Sequence, residues 1–153
     1  VATLHGYARS FCMSSIHHRG SEEKPGLVLA LDEVPGARCA GLALAVEAGA
    51  EAQTLDYLRE RELISSAYLE RHLDVELHSG DIVTAVTYVI DPHHVQYCGG
   101  MSLEDQAHII ARAVGGRGPN TEYLYNTASH LSEIGLHNEE LDWLARRVRQ
   151  ITS

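Results

Sequence analysis

Glu62 is the side chain in this sequence that is best placed for acid–base chemistry. It lies near the end of Tyr57–Ile64, which reads Tyr-Leu-Arg-Glu-Arg-Glu-Leu-Ile and ends a predicted helix that begins at about Ala50. The C-terminus of a helix carries partial negative charge and disfavours a carboxylate, and the apolar pair after Glu62 is expected to turn toward the core. Such surroundings raise the pKa of a glutamate above about 4.3 and make it a proton acceptor. The alternative is an ordinary solvated charge in the run Arg-Glu-Arg-Glu.

A second group of candidate residues surrounds the glycine-rich loop 115–122. The loop holds three glycines and a Pro-Asn pair and leads into a predicted helix, whose first amides can hold an anion such as a carboxylate. Tyr123 and Tyr125 follow in the first turn. A phenol on the interior face can donate a hydrogen bond to a substrate carboxylate or to Glu62. The alternatives are an ordinary turn between helices and tyrosines that only fill the core.

Two other chemistries have weaker support in the sequence. The chain has ten histidines, but the pairs His17-His18 and His93-His94 lack the spacing of zinc ligands, so we predict no metal site. Cys12 precedes a histidine-rich loop, as a nucleophile would, yet it lies in an alternating apolar strand where small cysteines are commonly buried. No Walker loop and no GxGxxG is present. A metal-binding domain built on the histidine pairs remains an alternative.

The composition indicates one soluble globular domain. The chain has 153 residues, 44% of them hydrophobic, and a formal net charge of −9, which disfavours nucleic acid and anionic membranes as partners. No apolar run approaches the roughly 18 residues that a membrane-spanning helix needs. The three cysteines form no CxxC pair, a pattern that favours a reducing cytosol.

The first two thirds of the chain predict strands. Alternation and apolar runs indicate strands at Val1–Met13, Leu27–Val34, Cys39–Val46, Tyr68–His78 and Ile82–Asp91, with a loop at Ser14–Gly26. Pro35-Gly36 predicts a hairpin turn between the second and third strands. Ser79-Gly80-Asp81 predicts another turn between the last two.

The last third predicts three helices. Ser102 is expected to cap Leu103–Val114, Asn120 or Thr121 to cap a helix that ends at Gly135, and Asn138 to begin a helix that extends through Ile151. Strands followed by helices predict an α+β fold, with a small curved or barrel-like sheet and helices packed outside it.

Six strings along the chain together resemble a known family. They are Gly-Tyr-Ala-Arg-Ser-Phe-Cys at 6–12, His-Arg-Gly at 18–20, Lys-Pro-Gly-Leu-Val-Leu at 24–29, Tyr-Leu-Arg-Glu-Arg-Glu at 57–62, Gln-Tyr-Cys-Gly-Gly at 96–100 and Gly-Pro-Asn-Thr-Glu-Tyr-Leu at 118–124. In this order they are similar to the ChaC-like γ-glutamylcyclotransferases. The resemblance covers essentially all 153 residues.

The resemblance implies a small mixed sheet closing toward a barrel, with flanking helices. It also implies a cytosolic enzyme that cleaves glutathione into 5-oxoproline and cysteinylglycine, without metal or organic cofactor. The family's catalytic glutamate falls on Glu62, and we expect Tyr123, Tyr68 and Arg19 to bind substrate. The oligomeric state is not predicted.

One departure from the family bears on both domain organisation and function. The family's N-terminal Tyr-Gly-Ser-Leu loop, which cradles the γ-glutamyl group, is absent from these residues. We therefore expect residues 1–153 to be a single domain that is incomplete at its N-terminus. The alternative function is a non-catalytic module of the same fold that binds γ-glutamyl compounds.

Overall fold

The computed structural model describes residues 1–63, 67–136 and 138–153. Its larger elements are, in chain order, β1 (Ala2–Ser15), β2 (Gly26–Gly41), α1 (Glu51–Glu62), β3 (Tyr68–Leu77), β4 (Ile82–Ile90), α2 (Leu103–Arg112), α3 (Asn120–Glu133) and α4 (Glu139–Thr152). A two-residue pair, β5 (Val114–Gly115) and β6 (Gly118–Pro119), lies between α2 and α3. Strands that precede most of the helices confirm the α+β prediction. No helix in the described ranges is both long and apolar enough to cross a bilayer.

The chain forms two compact units. Unit 1 comprises residues 1–9 and 31–97, and unit 2 comprises residues 10–30 and 98–153. Glu62 and Tyr68 therefore belong to unit 1, whereas Arg19 and Tyr123 belong to unit 2.

The four long strands form an open sheet in the order β2-β1-β3-β4. Strands β3 and β4 are antiparallel, with pairs that run from Tyr68 opposite Ile90 to Glu76 opposite Ile82, so the predicted hairpin is confirmed. Gly80 in its turn has φ 94°, a conformation that glycine adopts without steric cost. In the described part of the chain β2 and β4 are the edges of the sheet, so the predicted closure into a barrel is not observed.

The predicted turn at Pro35-Gly36 is wrong, because β2 continues through both residues to Gly41. Strand β2 lies at the edge of the sheet, and edge strands tolerate proline because its missing N–H can face away from the neighbouring strand. Gly36 takes φ 83° within the strand. The third predicted strand, Cys39–Val46, is thus the end of β2 followed by residues without regular structure.

In unit 1 the apolar core lies on the sheet. Its buried members are Ala2, Leu4, Tyr7, Val75 and Val89. Helix α1, which ends at Glu62 as predicted, contributes no buried residue. Apolar packing therefore does little to hold this helix in place.

In unit 2 the core is formed mainly by the helices. Its buried members include Phe11, Leu27, Ile110, Leu124, Leu144 and Val148. The predicted caps of α2 and α4 are confirmed, since Ser102 accepts a hydrogen bond from the Asp105 amide and Asn138 accepts one from the Leu141 amide. Gly135 follows α3 with φ 79°, as expected for a left-handed terminus.

The predicted cap of α3 is wrong. Pro119 occupies the N-cap position, and no side chain accepts a hydrogen bond from the first turn. Asn120 is instead fully buried, and its side-chain amide accepts a hydrogen bond from the Leu27 N–H and donates one to the Leu27 carbonyl, both at 2.9 Å. The asparagine thus satisfies both polar groups of a buried backbone position, which would otherwise lack hydrogen-bond partners.

Candidate active site

Glu62 is the last residue of α1, and its side chain is partly accessible. The side chain is 32% exposed, and its carboxylate lies 3.7 Å from the Arg61 Nε. The apolar enclosure expected from the sequence is therefore only partial. Leu63 is half-buried, and Ile64 lies outside the described residues.

Three residues near Glu62 form a polar cluster that the sequence analysis did not find. Arg59, one turn earlier in α1, binds Glu70 of β3 with both arms of its guanidinium, Nε to Oε1 and Nη2 to Oε2, each at 3.0 Å. Tyr88 of β4, which pairs directly with Glu70 across the hairpin, donates its hydroxyl to Oε1 at 2.8 Å. The Glu70 carboxylate thus accepts three hydrogen bonds, and the side chain is only 16% exposed.

The charges in this cluster act on one another. The hydrogen bonds from Arg59 and Tyr88 hold the pKa of Glu70 below its ordinary value. Burial, followed by the hydrogen bond to Glu70, raises the pKa of Tyr88 to about 12. The carboxylate of Glu62 adds to that increase, so Glu62 lies close enough for its charge to act on the Tyr88 hydroxyl. Tyr88 therefore remains a hydrogen-bond donor at neutral pH.

Tyr68, the other candidate in unit 1, is the first residue of β3. It pairs with Ile90 at the end of the β3–β4 hairpin and is half-buried. Tyr68 lies six residues after Glu62 in the sequence and begins the strand that carries Glu70.

In unit 2, Tyr123 lies on α3 against the core. Its ring meets Phe11 edge-on at 6.1 Å, and its hydroxyl accepts a hydrogen bond from the Leu29 N–H at 3.1 Å. Burial raises the pKa of the phenol. The tyrosine is therefore part of the core, as the alternative held, but its hydroxyl hydrogen can still be donated to a ligand.

Arg19 lies beside Tyr123, so the structure brings these two candidates together. The Arg19 guanidinium carbon is 5.7 Å from the centre of the Tyr123 ring, within the range of a cation–π contact. Its Nη1 donates to the Pro119 carbonyl at 3.1 Å and lies 3.5 Å from the Glu122 carboxylate. The side chain is only 14% exposed, and these contacts hold it against the start of α3.

The glycine-rich loop before α3 is packed tightly against the segment that follows β1. A Cβ on Gly115 would lie 2.5 Å from the backbone nitrogens of Arg19 and Gly20, so only glycine fits. The Gly116 and Arg117 amides donate to carbonyls of residues 17 and 18, and the Asn120 amide donates to Ala113 at 2.9 Å. Of the helix amides that were expected to hold an anion, that of Asn120 is therefore used within the fold.

The histidine pairs occupy turns. The carbonyls of His17 and His18 accept the amides of the glycine-rich loop. His93 donates its amide to the Asp91 carboxylate, and the Nδ1 of His94 accepts the Gln96 amide. Within the described ranges, no three His, Cys, Asp or Glu side chains lie close enough together to hold a metal ion.

An open groove of about 440 Å³ lies between α3 and α4 in unit 2. Its lining is mainly polar and comprises Tyr125, Ala128, Ser129, Ser132, Glu133, Asp142, Ala145, Arg146 and Arg149. The Arg149 guanidinium stacks over Tyr125 at 4.6 Å from the ring centre. Of the candidate residues named from the sequence, Tyr125 lines this groove, whereas Glu62, Tyr68, Arg19 and Tyr123 do not.

Comparison with known proteins decides the family. The model of the family described as ChaC-like protein matches residues 1–151. The chain belongs to the ChaC-like family. Among its ChaC-like relatives, the glutathione-specific γ-glutamylcyclotransferase of Escherichia coli is 32% identical over 151 residues, and γ-glutamylcyclotransferase 2-3 of Arabidopsis thaliana is 30% identical over 156 residues. The match to the E. coli protein covers 99% of this chain and 64% of that protein. The match to the Arabidopsis protein covers 98% of this chain and 78% of that protein.

Solved structures show the same fold. A crystal structure of a γ-glutamyl cyclotransferase specific to glutathione from yeast superposes with a TM-score of 0.76 at 19% identity, over 99% of this chain and 89% of that one. Its selenomethionine-labelled form gives 0.75 over 97% and 86%. The ChaC-like chain described here therefore has the fold of these yeast proteins.

Proposed function

We propose that the full-length protein is a γ-glutamylcyclotransferase that cleaves glutathione into 5-oxo-L-proline and L-cysteinylglycine. The observation that carries this proposal is the family match over residues 1–151. Relatives from E. coli and Danio rerio, named glutathione-specific γ-glutamylcyclotransferases, are 32% and 33% identical to this chain. The Tyr-Leu-Arg-Glu-Arg-Glu string supports the reaction chemistry, because it places a partly exposed carboxylate at the end of a helix.

The proposed reaction needs no nucleophile from the protein. The α-amine of the γ-glutamyl group attacks its own side-chain carbonyl carbon, which forms a five-membered lactam and breaks the bond to the cysteine nitrogen. Tethered reactants of this kind reach effective molarities of about 10⁵ M or more. What the protein must supply is proton transfer and a fixed substrate conformation.

Glu62 is the proposed acid/base. The attacking nitrogen begins as an ammonium and loses two protons, whereas the leaving nitrogen gains two. A carboxylate that takes a proton from the first nitrogen and passes one to the second is regenerated in each cycle. The 32% exposure of Glu62 makes its oxygens reachable by a bound ligand, which a fully buried glutamate would not be.

The remaining candidates are proposed to bind substrate. Tyr123 can donate its hydroxyl hydrogen to a substrate carboxylate while its oxygen still accepts the Leu29 amide. Arg19 supplies positive charge beside it, which favours an anionic substrate despite the acidic net charge. Tyr68 is proposed as a third contact. We propose that the reaction uses no cofactor and takes place in the cytosol, where thiols such as those of the three cysteines here stay reduced.

The identity of the products tests this proposal. The full-length protein is incubated with glutathione in H₂¹⁸O, and the products are identified by mass spectrometry. Intramolecular attack yields 5-oxoproline without ¹⁸O together with cysteinylglycine. Glutamate carrying ¹⁸O would show that water attacks instead, and the proposal would then be wrong. Binding of glutathione, measured by calorimetry, without any cleavage would support the non-catalytic alternative.

A further inference from the structure

Helix α1 is joined to the sheet of unit 1 by a charged contact. None of its residues is buried, and Tyr57, its largest apolar side chain, is 59% exposed. Apolar packing of its half-buried leucines is limited, so polar contacts also help to set the position of the helix end, where Glu62 lies. In the described part of unit 1, the side-chain hydrogen bonds between α1 and the strands are those of Arg59 with Glu70.

The geometry of this contact fixes the orientation of the Arg59 side chain as well as its distance from Glu70. Both guanidinium bonds are 3.0 Å long, and a planar fork on a carboxylate fixes direction as well as distance. The Tyr88 hydroxyl holds the same carboxylate from the neighbouring strand at 2.8 Å. Because β3 and β4 are paired in register here, Glu70 is anchored on a rigid part of the sheet.

Arg59 is linked closely to Glu62. The two residues are three positions apart, so they are neighbours on the helix surface, separated by about 4.5 Å along the axis. The Arg59 carbonyl also accepts the Leu63 amide at 3.0 Å and so closes the turn that contains Glu62. A shift of Arg59 therefore moves the backbone that carries the proposed base.

We infer that Glu70, held by Tyr88, is a positioning residue that fixes Arg59 and through it places Glu62 for proton transfer. This inference rests on the proposed function of Glu62. The Arg59 side of this ion pair is 46% exposed, and pairs that are open to water contribute little to stability, so a purely structural role for the cluster would leave turnover almost unchanged. A displacement of about 1 Å at a catalytic group, by contrast, can reduce the rate by as much as about 100-fold.

The first test replaces Glu70 in the full-length protein. Glu70→Gln keeps the size of the side chain but removes the charge that holds the fork, and we expect kcat to fall by about 10- to 100-fold with KM unchanged. Tyr88→Phe keeps the fork and should reduce kcat less. The matched control is Asp74→Asn on the same strand, which weakens the hydrogen bond from Thr84 at 2.9 Å and should leave kcat unchanged. A kcat for Glu70→Gln equal to that of Asp74→Asn would overturn the inference.

A charge swap provides the second test. We expect the double variant Arg59→Glu/Glu70→Arg to have a higher kcat than either single change, because it restores an ion pair at the same place. A double variant no better than the worse single variant would contradict the positioning role.

Glu62→Gln separates failure of this inference from failure of the proposed function. If Glu62→Gln is inactive while Glu70→Gln turns over normally, only the positioning role is wrong. If Glu62→Gln is fully active, the acid/base assignment is wrong and the inference falls with it.

Discussion

Asn120 is the residue whose loss should affect the stability of unit 2 most clearly. It is completely buried at the start of α3, and its amide makes two hydrogen bonds of 2.9 Å with the backbone of Leu27. Asn120→Ala removes both partners at once. The Leu27 N–H and C=O then remain in a site that excludes water.

The expected cost follows from those two groups. A buried backbone donor or acceptor left unsatisfied costs about 1–3 kcal/mol, so the substitution should reduce the free energy of unfolding by about 2–6 kcal/mol. The free energy of unfolding of a typical domain is only about 5–15 kcal/mol. A domain of this size loses about 2–4 °C in Tm for each kcal/mol of stability, so a loss of about 4 kcal/mol, the middle of the expected range, lowers Tm by roughly 10 °C.

Urea denaturation and hydrogen exchange measure this effect. The control is Asn138→Ala, which removes an asparagine that caps a helix in the same unit and should cost only about 1 kcal/mol. Asn120→Ala should also expose the Leu27 amide to exchange. If it destabilises the protein no more than Asn138→Ala does, the two hydrogen bonds contribute no more to stability than a helix cap.

Two further predictions concern unit 2. Gly115→Ala should prevent stable folding, because its Cβ would lie 2.5 Å from two backbone nitrogens, whereas Gly116→Ala meets its nearest neighbour at 3.3 Å and should be tolerated. Glu104 has a pKa lowered to about 2, first by its hydrogen bonds to Arg147, so its contribution to stability is complete above about pH 4.5 and is lost as the pH falls toward 2. Arg147→Gln should therefore destabilise the protein near neutral pH and make little difference near pH 2.

Thermal melts followed by circular dichroism check both predictions. Equal melting temperatures for the two glycine variants would contradict the packing argument. If the difference in melting temperature between wild type and Arg147→Gln is the same at pH 7 and at about pH 2, the ionised Glu104 does not stabilise the protein through Arg147.

Elements controlled by local signals were predictable from the sequence. The β3–β4 hairpin follows from alternating apolar residues around Ser79-Gly80-Asp81, and the caps at Ser102 and Asn138 follow from residue type. Glu62 was also correctly placed at the end of α1. In these cases the decisive interactions lie within a few residues of one another.

Features that depend on distant partners were missed or mistaken. Pro35-Gly36 has the composition of a turn, and only the edge position of β2 explains why the strand continues through it. Asn120 has the composition of a cap, but a backbone 93 positions away captures its side chain. The pairing of Glu70 with Tyr88 was missed, because the predicted turn at Ser79-Gly80-Asp81 places Glu70 opposite Ile90, two residues from its observed partner. The contact of Arg59 with Glu70 could be seen only in the tertiary structure, because it joins a helix to a strand.

The role of Glu62 is tested most directly by one substitution and its neighbour. Glu62→Gln keeps the size of the side chain but cannot accept a proton, whereas Glu60→Gln makes the same change at an exposed position two residues earlier. With cysteinylglycine release measured in the full-length protein, Glu62→Gln should reduce kcat by about 10²- to 10⁴-fold, and Glu60→Gln should leave it unchanged. Turnover by Glu62→Gln equal to that of the wild type would contradict the assignment of the acid/base.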